Sequence, residues 1–319
     1  MIDATGTWRK PNPLGASGLM AAGEEAAAAQ IFYGIPDVLG AHRRRYEGKR
    51  TLVVGAGHSA ANALLALADL AREVPSTRLA WSVRSPVLTR VFGGGAADAL
   101  PARGQLGAAL RGLRDSRKLE FTSGLRITEI RREAGKLTVI GLDPARKPVR
   151  LEDIDEIICA TGQRPDLSLT SELRLRLDSW LESAEALGPL IDPNVHSCGT
   201  VRPHGHRELS HPEPGLYTVG VKSYGRAPTF LMTTGFEQVR SVVAAIAGDL
   251  EAAERVELQL PETGVCGLPP SSKGSSGSCC ATPKPKPEAL AVPAASSCGS
   301  SSCGTKRRDG QAVAAAASN

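Results

Sequence analysis

The feature that constrains this chain most is an eleven-residue run, Arg50-Thr-Leu-Val-Val-Gly55-Ala-Gly57-His58-Ser59-Ala60. Its first half is short, β-branched and bounded by glycine, the pattern of a strand buried in a parallel sheet. Beyond it, Ala60, Ala63, Leu64, Leu67, Ala71 and Val74 recur at helical spacing and predict a helix from His58 to Val74. Arg78-Leu-Ala-Trp-Ser-Val alternates and predicts the next strand. Strand, glycine loop, helix and strand within about 35 residues make a βαβ unit, and such units build α/β folds with a parallel sheet.

Within that context the loop has the form G-x-G-x-x-A, and its small residues have separate jobs. Gly55 permits the tight turn, Gly57 lets the backbone approach a pyrophosphate, and Ala60 lets the helix pack close to the strand. The helix N-terminus offers N–H groups and the positive end of its dipole to the phosphates. His58 and Ser59 lie in the same first turn, and the Ser59 hydroxyl adds a donor. The end of the second strand selects the nucleotide. NAD sites place a carboxylate there, roughly 20 to 30 residues past the glycines, for the ribose 2′-OH. Here Arg84 ends the strand, and no Asp or Glu occurs between Val74 and Ala97. Arginine pairs with a 2′-phosphate through charge-assisted hydrogen bonds. The expected nucleotide is therefore NADP, with Arg90 as a weaker second candidate.

The first 50 residues are loop-rich, with turn signals in Thr7-Trp-Arg-Lys-Pro-Asn-Pro-Leu-Gly15. A glycine loop at Gly93 precedes a helix expected from Gly104 to Arg114, with Leu106, Ala109, Leu110 and Leu113 on one side. Leu119–Ser123, Leu125–Arg131 and Lys136–Leu142 are short strands between turn signals, expected to form a small antiparallel meander. Asp155–Ala160 and Gly215–Gly220 are further strand candidates. The last helix is expected from Thr234 to Ala247. It has Phe236, Val239, Val243 and Ile246 on one apolar face, and Gly248 is in place to stop it.

Average composition, 41% hydrophobic and 22% charged over 319 residues, is that of a globular chain, but it hides a break near residue 256. From Pro261 to Asn319 there are 59 residues without Phe, Trp or Tyr. Such a segment lacks the apolar surface to offset its ordering entropy, so residues 257–319 are expected to be a disordered tail. No apolar run is long enough for a transmembrane helix, and the first residues lack a signal-peptide pattern. The cytoplasm is the default compartment and no membrane partner is expected. The formal charge of +5 is modest and dispersed, which argues against nucleic acid.

Seven cysteines occur and none forms C-x-x-C, so a local redox dithiol is not expected. Cys159 lies in a strand and reads as an inert core residue. Cys266, Cys279, Cys280, Cys298 and Cys303 lie in the tail, where they either suit a soft metal or metalloid ion or have no ligand. His196, His204, His206 and His211 fall within 16 residues, with Cys198 among them, at a spacing that matches no standard zinc site.

Three separated segments carry a resemblance: Ile2-Asp-Ala-Thr-Gly6-Thr-Trp, Gly55-Ala-Gly57-His-Ser-Ala60 and Cys159-Ala160-Thr161-Gly162-Gln-Arg-Pro. In that order they resemble the two-dinucleotide-binding-domain flavoproteins, most closely the flavin-containing monooxygenase-like oxidoreductases. The resemblance covers residues 1 to about 248. It implies a Rossmann-like NAD(P)-binding domain at 49–160, inserted in an FAD-binding domain. Residues 1–48 would then be crossover loops and 161–256 the C-terminal part of the FAD-type domain. The implied cofactors are FAD and NADP, with Ala160, Thr161 and Gly162 at the crossover. The resemblance puts Gly220 beside the flavin ribityl chain. It turns the amides of Thr234, Gly235 and Phe236 toward the flavin's pyrimidine edge. Relatives such as thioredoxin reductases put Gly-Asp at the late strand's end, whereas Gly220 is followed here by Val221-Lys222. The polar Lys222–Arg226 cluster is open between a ligand-facing and a packed role, and the His-rich stretch is expected near the flavin. The family's opening strand–G-x-G-x-x-G–helix has no counterpart. A truncated FAD-type domain that binds FAD poorly alone is therefore expected. The Cys266 and Cys279-Cys280 segments resemble tails of flavoproteins from arsenic-resistance gene clusters.

The leading expectation is an NADPH-dependent flavin oxidoreductase of monooxygenase type. NADPH reduces FAD, and the flavin passes electrons to oxygen or another acceptor, acting on a small-molecule substrate. The alternatives are a non-catalytic nucleotide-binding remnant and a metal- or metalloid-binding protein working through the tail cysteines. No catalytic residue is assigned, and homodimerisation is left open.

Overall fold

The structure is a computed structural model that describes residues 1–87, 92, 101–196 and 201–258, all within one compact unit, 1–271. Arg90, the Gly93 loop, Cys198 and the five tail cysteines lie outside the described residues. In chain order the elements are β1 (Ile2–Asp3), β2 (Ile31–Tyr33), α1 (Arg43–Tyr46), β3 (Arg50–Val54), α2 (His58–Glu73), β4 (Arg78–Val83), α3 (Pro101–Asp115), β5 (Leu119–Ser123), β6 (Arg126–Glu133), β7 (Lys136–Leu142), β8 (Pro148–Ile154), β9 (Glu156–Cys159), α4 (Gly188–Ile191), α5 (His206–Leu209), β10 (Tyr217–Thr218), α6 (Met232–Ile246) and α7 (Leu250–Glu254).

Five strands form a parallel sheet in the order β2-β9-β3-β4-β5. Alternation along the strands sends side chains to two cores. Val53, Trp81 and Ile158 meet Ala60, Leu64, Leu67 and Leu70 of α2 and Leu110 of α3. Leu52, Val54, Ala80, Ile157 and Cys159 point the other way, onto Leu137 and Val139 of β7. Both faces are covered, which is why β3 reads as an unbroken apolar run.

The antiparallel sheet β6-β7-β8 supplies that second cover, and here the expectation from sequence is corrected. Leu119–Ser123 is not the first strand of the meander. It pairs parallel with β4, Leu119 opposite Leu79, because a helical crossover returns the chain to the parallel sheet. Gly124, at φ +74°, then turns the chain away from it. The meander's third strand is β8, whose mostly exposed residues left little apolar alternation to recognise. Ile31–Tyr33, inside the loop-rich start, is the edge strand beside β9. In α3, Ala109 is exposed while Gly107 is buried. A Cβ on Gly107 would overlap the Phe92 carbonyl, so the inward position has no room for a side chain.

β1 and β10 form a separate parallel pair, with Asp3 opposite Thr218. Beside it lies a third core that includes Leu181, Leu187, Leu209, Val219, Tyr224 and Val242. α6 packs there in an orientation that corrects the sequence reading. It buries Thr234, Gly235, Glu237, Gln238, Ser241 and Val242. Phe236, Val239, Val243 and Ile246, expected to face inward, are 66, 43, 51 and 55% exposed. The polar groups turned inward find partners there, as described below. Among the described residues, no helix is long and apolar enough to cross a membrane.

Candidate functional site

The β3–α2 loop lies at the carboxyl ends of the parallel strands, where open α/β sheets bind ligands. Gly55 adopts φ +143°, and a Cβ there would overlap the Ala160 carbonyl. Glycine is required because β3 and β9 bring their ends into contact. The Gly55 carbonyl accepts a hydrogen bond from Trp81 Nε1 at 2.8 Å. Trp81 is buried in β4 and looked like an ordinary core aromatic, so the sequence carried no signal for this anchor. Gly57 is the N-cap of α2, and no side chain caps that end. The first-turn N–H groups of an uncapped helix want an external acceptor. Nothing lies within 4 Å of where a Gly57 Cβ would stand. Gly57 and His58 are exposed, Ser59 is half-buried, and Ala60 is fully buried against the sheet. Arg84 follows the end of β4, the strand adjacent to β3. Its side chain is exposed and donates to the Ala16 carbonyl at 3.3 Å.

The two Ala-Thr-Gly turns share a backbone device, with Gly6 at φ +73° and Gly162 at +92°. The segments after them run side by side. The Asn12 N–H donates to the Gly162 carbonyl at 2.9 Å. Asn12 Nδ2 donates to the Thr161 carbonyl at 3.2 Å, and Thr161 Oγ1 donates to the Asn12 carbonyl at 2.9 Å. In the sequence Asn12 is one residue of a turn; in the structure it holds both crossovers together. Burial pushes the adjacent Cys159 thiol up to about 11, so it stays protonated at neutral pH and is no nucleophile.

A second group gathers where β10 ends. Gly220, at φ +71°, donates its N–H to Gln238 Oε1 at 2.7 Å. The Gln238 amide nitrogen donates to Ser223 Oγ at 2.9 Å and lies 2.8 Å from His204 Nε2. His204 Nδ1 is 3.0 Å from the Arg202 carbonyl. A neutral ring that donates from Nδ1 and accepts at Nε2 satisfies both contacts. Burial favours that neutral form by lowering the pKa of His204. Gly235 lies beside Gly220, and a Cβ on it would press the Phe230 ring at 2.8 Å. Thr234 is buried with this group, whereas Phe236 is turned to solvent and is not brought in.

Lys222 is 2% exposed. Its ammonium pairs with Asp3 at 2.6 Å and donates to Thr5 Oγ1 at 2.9 Å. Burial alone would raise the Asp3 pKa, but hydrogen bonds from Lys222 and Thr5 outweigh it and hold the carboxyl below its ordinary value. Lys222, Ser223 and Tyr224 are therefore a packed turn. The carboxylate at this strand end comes from β1, and Lys222 neutralises it. His211 is also buried and meets Thr218 Oγ1 at 3.0 Å.

Two clefts adjoin these groups. One, of about 220 Å³, is lined by Thr5, Gly6, Arg9, Asp166, Ser168 and Leu169. The other, of about 270 Å³, is bordered by His204, His206, Glu237 and Ser241. Both fall below the ~300–1,000 Å³ usual for an enclosed cofactor site.

No family model and no curated protein matches the sequence. Solved structures do match it. The bacillithiol disulfide reductase of Staphylococcus aureus aligns with a TM-score of 0.52 and 16% identity, over 80% of this chain and 62% of that one. The Bacillus cereus reductase gives 0.49 and 17%, over 79% and 59%. The L-lysine 6-monooxygenase of Pseudomonas syringae gives 0.48 and 16%, over 80% and 64%. The chain thus spans about three fifths of the length of these structures. With its parallel sheet, glycine loop and paired crossovers, the described chain shares the α/β fold of the corresponding part of the Staphylococcus aureus reductase.

Proposed function

We propose that this chain carries the NADPH-binding part of a flavin-dependent oxidoreductase, together with one side of its flavin site. The observation that carries this reading is the glycine loop: an uncapped α2 N-terminus, open space at Gly57, and Arg84 beyond the neighbouring strand. These residues fit NADP. Gly55, Gly57, His58, Ser59 and Ala60 would hold the pyrophosphate, and Arg84 the 2′-phosphate. NADPH, when bound, supplies a hydride. The chain's own part is to fix the loop through Trp81 and Ala160 and to keep α2 aimed at the phosphates.

FAD fits only in part. Ala160, Thr161, Gly162, Gly220, Thr234 and Gly235 are proposed to offer one edge to it, with Thr5 and Gly6 beside them, whereas the solvent-facing Phe236 is not part of that edge. The neutral His204–Gln238 pair would hold Gly220 in place. Among the described residues there is one glycine loop with its helix, whereas the ADP part of FAD needs another of its own. The absence of C-x-x-C from the sequence supports a monooxygenase-type acceptor over a dithiol.

Titration of the purified chain with NADPH and with NADH, followed by calorimetry, tests the reading. At least tenfold preference for NADPH is expected, and Arg84→Glu should abolish it. Equal affinity for both, or none for either, refutes it. A second reading, a non-catalytic nucleotide-binding protein, draws support from there being one glycine loop with its helix among the described residues. It predicts NADPH binding with no NADPH oxidation when FAD is added. The metalloid reading rests on tail cysteines outside the described residues.

A further inference from the structure

On the NADPH reading of the glycine loop, on which this rests, we infer that residues 15–20 form a strap over the adenosine end of the nucleotide, coupled to its 2′-phosphate through Arg84. The base of the strap is built around a buried charge that the phosphate-binding loop does not use. Glu24 is 0% exposed. Its carboxylate accepts the Leu14 N–H at 2.8 Å, the Ala21 N–H at 2.7 Å and the Tyr33 hydroxyl at 2.8 Å. A buried carboxylate is costly unless hydrogen bonds satisfy it. Two of these bonds draw the ends of the loop together, the construction of a compact Ω-loop. The Ala16 and Ala22 N–H groups then fasten it to the Ile127 and Thr128 carbonyls of β6, at 2.9 and 3.0 Å. A Cβ on Gly15 would overlap the Leu19 carbonyl, so the return of the chain is tight.

The tip is free where the base is fixed. Leu19 and Met20 are 73 and 53% exposed. Gly18, at φ +86°, has nothing within 4 Å of where a Cβ would stand. Between base and tip, the Ala16 carbonyl accepts a hydrogen bond from Arg84. A guanidinium carries five N–H donors, so one can stay on Ala16 while others take a phosphate. The 2′-phosphate and the adenine stand on adjacent carbons of one ribose. A phosphate held by Arg84 therefore brings the adenine beside the strap, and Leu19 and Met20 supply the apolar cover that a ligand face needs. Phosphate contact fixes Arg84, and Arg84 fixes the Ala16 carbonyl. A nucleotide without the 2′-phosphate leaves both as they were.

Amide hydrogen exchange on the full chain, read by mass spectrometry over residues 15–20, tests this. The probes are adenosine 2′,5′-bisphosphate, saturating by calorimetry, and ADP at the same concentration. The bisphosphate should slow exchange over 15–20 at least fivefold beyond any change over α6, and ADP less than twofold. Leu19→Ser combined with Met20→Ser, both at exposed positions, should weaken the bisphosphate at least fivefold and leave the unfolding midpoint unchanged. If that double variant does not fold, the exchange measurement on the unaltered chain decides alone. Bisphosphate that binds without slowing exchange at 15–20 overturns the strap and leaves the NADPH reading standing. Equal slowing by ADP does the same, as does full affinity in the folded double variant. A chain that binds no bisphosphate refutes both.

Discussion

α2 and α6 are built alike and packed oppositely. Both run about four turns, 16 and 15 residues, and both carry one apolar face at helical spacing. α2 lies on the five-stranded sheet and buries Ala60, Ala63, Leu64, Leu67 and Leu70. α6 lies against the irregular chain around residues 201–224 and buries Thr234, Glu237, Gln238 and Ser241. A hydrophobic stripe states that a helix has a side to hide. Which side the fold hides depends on the neighbours. A sheet offers α2 only side chains, so apolar contact wins. The chain beside α6 offers a Gly220 N–H, a Ser223 hydroxyl and a His204 ring, and each would be costly to bury unpaired. Gln238 answers all three.

Substitutions should separate the two helices cleanly. The largest effect is expected on α2: Leu67→Ala leaves a cavity in the sheet-side core and should cost about 2–5 kcal/mol, read from denaturant unfolding. Gln238→Leu on α6 comes next. It keeps the bulk but strips three groups of their partner, and should cost about 1–3 kcal/mol. A loss below that of an ordinary surface change would mean that the buried network does not hold α6.

The network also sets a pH dependence. Burial lowers the pKa values of His204 and His211 from the ordinary 6.5, so the unfolded chain binds more protons on the acid side. Stability from this source is complete above pH 6.5 and is lost as pH falls through the folded-state values. Unfolding midpoints should therefore drop on going from neutral to mildly acidic buffer, and His204→Gln should flatten the drop. The smallest effect on stability belongs to α6's outward face. Val243→Ala should change stability by no more than about 0.5 kcal/mol. Gly57→Ala meets no neighbour but places the poorer capping residue at the α2 N-cap, so it should cost about 1 kcal/mol or less of stability while weakening NADPH binding at least tenfold. Gly55→Ala, whose methyl would meet the Ala160 carbonyl, should disturb the fold itself.

Much of the β3–β4 region is legible in the sequence alone. The Gly55–Ala60 loop, the α2 helix and the β4 strand are local patterns, each decided within a few residues. The anchors of that loop were not legible. Trp81 and Asn12 act through hydrogen bonds to segments 26 and about 150 residues away. Nothing in their own neighbourhoods separates an anchoring Trp or Asn from an ordinary one. The Lys222–Asp3 pair spans nearly the whole described chain in the same way, joining β1 to the turn after β10. Its polar sequence suggested a ligand-facing loop as readily as a buried ion pair.

By itself, then, the sequence determined the glycine bend at Gly55, the start of α2 and the cover on both faces of β3. Those are properties of short segments, set by sterics and by hydrophobic period. Only the tertiary structure decided that Leu119–Ser123 joins the parallel sheet and that β8 completes the meander. It also decided that α6 turns its polar side inward. Each of these depends on which distant groups arrive beside a segment, and burial energies are settled between partners rather than within one stretch of chain.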